Sequence, residues 1–116
     1  MIAEQTPASE FCVEPDAAAD EWLRRRPGGE PVVIAFSVAR CCGGTKLCDV
    51  RVRIGVARNA RTTYTRIGQV GGRDLLLDSR IAAMMPRRVP ITVRGVARRR
   101  LELDLSGEDW ARLLYA

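Results

Sequence analysis

At 116 residues, 47% hydrophobic and 28% charged, the sequence has room for one packed domain and not two, and its composition is that of a folded protein. The formal charge is +5, and Lys46 is the only lysine among nineteen basic residues, so an anionic partner is permitted but not specified. Histidine is absent, which excludes Ser-His-Asp and Cys-His catalysis and imidazole metal sites, and leaves acid–base work to carboxylates, thiolates, Tyr64, Tyr115 and Lys46.

Residues 1–14 read as an irregular segment ahead of a single domain over 15–116. That start has neither a basic region nor an apolar run, and nowhere does an apolar stretch approach the roughly 20 residues of a membrane helix. A cytoplasmic protein with no membrane partner is expected. Pro15, then Asp16 to Arg26, predict a helix: acids come first and arginines last, which complements the helix dipole, and Pro27-Gly28-Gly29 stops it. Pro31 to Val38 is a short apolar run rich in β-branched residues and predicts a buried strand. Asp49 to Ile54 alternates charged and apolar residues and predicts a strand with one face toward solvent. A loop at Arg58–Arg61, a strand over 62–70, a turn at Gly71-Gly72 and a strand over 73–78 follow.

Ser79 is expected to cap a short helix that Pro86 ends. Strands over 89–96 and 100–105 come next. Ser106-Gly107-Glu108-Asp109 then opens a last helix whose inner face holds Trp110, Leu113 and Leu114. Short links between strands favour antiparallel pairing. The expected class is α+β: a mostly antiparallel sheet or small β-sandwich with an N-terminal helix, a short middle helix and a C-terminal helix.

The chemically specific feature is Cys41-Cys42-Gly43-Gly44-Thr45-Lys46-Leu47-Cys48. Adjacent cysteines on an extended backbone point to opposite sides, yet either Cys41 or Cys42 could converge with Cys48. The glycines permit a tight turn with inward N–H groups, and Arg40 and Lys46 favour thiolates. Three readings stay open. Cys41, Cys42 and Cys48 hold an iron–sulfur cluster or zinc, with Cys12 or Asp49 completing the shell or a homodimer sharing the site. Alternatively, Cys48 and one of the pair cycle between dithiol and disulfide. In the third, the cysteines are small buried apolar groups or a structural disulfide.

The order of elements resembles the A-type iron–sulfur carrier (HesB-like) fold, on Val33 to Val38, Cys41-Cys42-Gly43-Gly44, Asp49 to Ile54, and Gly72 to Asp78 through Ile81 to Val93. The loop itself is closer to that of a little-characterised bacterial family of this general fold, on Cys41, Cys42, Gly44, Thr45 and Cys48. The resemblance implies a carrier or assembly factor with a recipient protein as partner, and Cys41 or Cys42 as the family's first ligand. True carriers add a Cys-x-Cys pair near the C-terminus; this chain ends Trp110 to Ala116 without a cysteine.

No catalytic set is nominated, and a non-enzymatic role is expected. The alternative is a basic interaction domain or small subunit of a larger assembly, with structural cysteines. Its evidence is the runs Arg24–Arg26, Arg87-Arg88 and Arg98–Arg100. No aromatic residue interleaves these runs, so they read as solvated faces, and nucleic acid ranks below a protein partner.

Overall fold

The structure, a computed structural model, describes residues 11–40, 46–56 and 63–115. Along them run β1 (Cys12–Pro15), α1 (Ala17–Arg25), β2 (Val32–Arg40), β3 (Lys46–Ile54), β4 (Tyr64–Val70) and β5 (Arg73–Asp78). A single 3-10 turn (Ser79–Ile81), β6 (Arg88–Arg94), β7 (Arg100–Leu103) and α2 (Gly107–Tyr115) complete the order. One sheet has three strands, β1-β6-β7, and the other four, β3-β2-β5-β4.

This corrects the expected class. The protein is a mostly-sheet fold of two mixed sheets with two α-helices, not an α+β protein with three helices on a mostly antiparallel sheet. The expected middle helix is one 3-10 turn. Asp78, not Ser79, caps it by accepting from the Arg80 N–H, and Pro86 lies too close to let a cooperative α-helix form. Strands consecutive within a sheet do pair antiparallel, as short links require: β2 with β3, β4 with β5, β6 with β7. The parallel pairs, β1 with β6 and β2 with β5, join strands distant in sequence, where link length carries no information.

Both sheets contribute to one core. Val32, Ile34, Leu75 and Leu77 come from the larger sheet, and Val89, Ile91, Leu101 and Leu103 from the smaller. Helix α1 adds Ala19 and Leu23, and α2 adds Leu113. The first helix starts slightly later than expected: Pro15 ends β1, and Asp16 is the N-cap, its Oδ1 accepting from Ala19 N–H at 2.7 Å and its Oδ2 from the Thr92 hydroxyl at 2.6 Å. At the sheet margins, β3 packs beside β7 and β1 beside β4, without ladder pairing. Among the described residues no helix is long and apolar enough to cross a membrane.

Two details lock α1 onto the larger sheet. Gly71 and Gly72 join β4 to β5 with φ of +58° and +79°, the mirror-image turn that suits the twist of a two-residue hairpin. A Cβ on Gly71 would lie 2.5 Å from the Leu23 Cβ, so the turn can sit against the helix only with glycine there. Arg73, 5% exposed, sends its guanidinium under the end of α1. It donates to the carbonyls of Arg26 at 3.0 Å, Glu30 at 3.1 Å and Leu23 at 3.4 Å. A cation there also meets the negative end of the helix dipole.

Gly71→Ala should therefore destabilise the fold by about 1–3 kcal/mol, because it combines left-handed backbone with a clash. Arg73→Met should cost about 3 kcal/mol by stranding buried carbonyls that the guanidinium now serves. Urea denaturation of each variant against wild type measures both losses.

Candidate functional site

Antiparallel pairing carries β2 and β3 through nine partners, from Val32↔Ile54 to Arg40↔Lys46. The parallel pairing of β5 with β2 ends much earlier, at Ile34↔Leu77. From Phe36 onward the hairpin is a two-stranded ribbon that outruns its sheet. Its burial records this. Along the core-facing row of β2, Val32 and Ile34 are fully buried, Phe36 is half-buried, and Val38 is 47% exposed.

Where the ladder stops, side chains continue it. The Asp78 carboxylate, at the end of β5, accepts from Phe36 N–H at 3.3 Å, and Arg80 donates to the Phe36 carbonyl at 2.7 Å. Arg80 also clasps Asp78 through Nε at 3.0 Å and Nη2 at 2.7 Å, and its guanidinium lies over the Phe36 ring, 5.2 Å from the centroid. Asp78 is only 1% exposed. Burial pushes its carboxyl up, but the Arg80 side chain, the Arg80 N–H and the Phe36 N–H together outweigh burial and hold it below the usual carboxylate range. In the sequence Asp78 is simply the last residue of the strand expected over 73–78. The signal available was an acid two residues ahead of an arginine at the end of an apolar strand.

The candidate ligands fall unequally on this frame. Cys48 sits in β3 opposite Val38, on the row that continues Ile54, Val52 and Val50. It is a free, half-buried thiol, not a fully buried apolar group. It lies two residues from Lys46, whose pairing with Arg40 closes the described part of the ribbon. Cys41 and Cys42, in the segment linking Arg40 to Lys46, lie outside the described residues.

Neither residue named as completing a shell fits that part. Asp49 neighbours Cys48 on an extended strand, so it faces the opposite way, and it is ion-paired to Arg51. Cys12 is an exposed, free thiol on β1, in the other sheet, with Glu14 as its near polar neighbour at 3.8 Å. Among the described residues no group of three cysteine or carboxylate donors converges on a common point.

Glu102 and Asp104 take Arg94, and Glu102 also takes Arg100, while Arg51 pairs within its own strand. This matters for β6 and β7, because Arg94 and Arg100 are direct cross-strand partners whose repulsion the two carboxylates offset.

No family model, no curated protein and no solved structure matches the chain.

Asp78→Asn should lower stability by about 1–3 kcal/mol at neutral pH, since an amide presents donors to Arg80 where the carboxylate accepted. The depressed folded pKa fixes the sign: the Asp78 contribution is full above the ordinary carboxylate range of about 4 and disappears as pH falls through the lower folded value. The gap between wild type and Asp78→Asn should accordingly close on acidification. Denaturant titrations across the acid range would show it; a gap independent of pH would refute the account.

Proposed function

We propose that the protein is a non-enzymatic accessory protein that binds zinc or an iron–sulfur cluster through thiolates at the tip of the β2–β3 hairpin. The observation that carries this reading is the position of Cys48. It is an accessible thiol on a ribbon that extends beyond the sheet, and the five-residue link that follows the closing pair contributes Cys41 and Cys42. Thiolates select soft ions and iron–sulfur clusters over hard ions such as magnesium and calcium. The resemblance of the loop, on Cys41, Cys42, Gly44, Thr45 and Cys48, to that of a small bacterial family points the same way.

Cys48 with one of the pair supplies two sulfurs per chain. A shell of four then requires a second copy, with the two hairpin tips meeting across a homodimer. A site on a protruding ribbon is open to a recipient protein, as a carrier or assembly factor needs. A reducing cytoplasm keeps such thiols free for the ion.

Anaerobic purification followed by elemental analysis and visible absorbance tests the reading. The expected result is bound zinc, or iron with labile sulfide and a cluster chromophore, at about one site per two chains. Cys48→Ser should abolish it, and Cys12→Ser should leave it intact. A colourless protein that takes up neither zinc nor iron and sulfide would overturn the proposal.

A further inference from the structure

The sequence offers its arginines as separate runs without aromatic neighbours. Folding rearranges them. Strand β3 is the margin of the larger sheet and β7 the margin of the smaller, and between them opens a groove of about 1020 Å³. Arg51 and Arg53 enter it from β3, Arg100 from β7, and Trp110 from α2. Residues separated by nearly sixty positions in the chain thus build one wall set: three guanidinium groups and an indole.

The groove also contains two carboxylates, Asp49 and Glu102. Each is already engaged, Asp49 by Arg51, and Glu102 by Arg100 and by Arg94 outside the lining. Arg53 is exposed and has no ion-pair partner among the described residues. Arg51 and Arg100 remain 78% and 68% exposed in spite of their partners, so their remaining N–H donors face solvent. Ahead of β7, Arg98 and Arg99 are exposed and extend the basic rim from Arg100.

We propose that this groove binds single-stranded nucleic acid, with Arg51, Arg53 and Arg100 on the phosphates and Trp110 stacked on a base. Arg51 and Arg53 lie on one face of an extended strand, about 7 Å apart along it, a repeat that follows a stretched phosphate backbone. Guanidinium groups are suited to phosphate oxygens by their planar fork. The half-buried indole separates a nucleic acid from an acidic protein segment, because a base offers a flat π-face to stack on and a carboxylate does not. A duplex is less suited, because its bases are already stacked on one another. The site is independent of the thiol chemistry: Cys48 lies on the other face of β3 from Asp49, Arg51 and Arg53.

The test is a fluorescence titration with short oligo(dT) and oligo(U) in about 50 mM salt, on a Trp22→Phe background so that Trp110 is the sole indole. Quenching that saturates is expected, with a slope of log K against log salt near −2 for three phosphates at about −0.7 each. Arg53→Glu should weaken binding at least about tenfold, and Trp110→Leu by about five- to a hundredfold. Arg24→Ala, on α1 and away from the groove, should bind as wild type. Because Trp110 also packs against the core, Arg53→Glu is the deciding variant: it changes an exposed side chain outside the core. Unchanged binding in that variant, no quenching at low salt, or equal competition by polyglutamate would overturn the proposal, the last by assigning the groove to an acidic protein.

Discussion

Strand β5 carries opposite charges at its two ends, and both are buried. Arg73 opens the strand and Asp78 closes it, and they are the two buried charged residues among those described. A buried charge is tolerable only when its hydrogen-bonding capacity is met. Here it is met largely by backbone: Arg73 by carbonyls at the end of α1, Asp78 by amide groups of β2 and of its own turn, with Arg80 as counter-ion. Strand β5 lies between β2 and β4, so these two anchors set where the helix ends and where β2 runs. A register slip of one residue would move Arg73 from the inner row to the outer and leave the carbonyls unserved. Leu75 and Leu77, on the Arg73 row, supply the apolar gain that makes the central strand worth burying.

The same anchor defines where the molecule stops being a sheet. At Phe36 the main-chain partners of β2 on its β5 side change from a strand to the Asp78–Arg80 pair, while pairing with β3 continues. Beyond it the β2–β3 hairpin has a rigid base and open flanks. This is the arrangement in which exchangeable chemistry is usually found, on a projecting segment fixed by a scaffold. Cys48 lies on that projection. Arg51 and Arg53 lie nearer the base, on the opposite face, where β7 and α2 come alongside. One hairpin therefore presents sulfur on one side and guanidinium groups on the other.

Local chemistry was legible in the sequence. The bounds of β5 are those read from Arg73 to Asp78, α1 lies within the stretch read as the first helix, and Ser106 Oγ accepts from Asp109 N–H at the start of α2. These depend on interactions within a few residues. What depends on distant partners was not legible. Strand β1, at the end of a stretch read as irregular, exists as a parallel partner to β6, more than seventy residues away. Arg73 reads only as the first residue of a strand, because nothing near it in sequence reveals the helix end above it. The expected middle helix failed because its window, closed by Pro86, allowed only one turn. Of the three-cysteine loop, the sequence supplied all the members, and the described residues place Cys48 alone.

The meeting of sheet margins has a further consequence. Strand edges are templates for other chains, and a fold of two small sheets has four of them. In this protein they come together in twos: β3 beside β7, and β1 beside β4, close enough that a Cβ on Gly68 would touch Val13 at 2.8 Å. Where two margins meet, each limits the other's access to a further strand, and along the open groove the charged row on β3 discourages pairing. Four short strand edges are in this way left with less backbone open to another molecule, without a helix over each one.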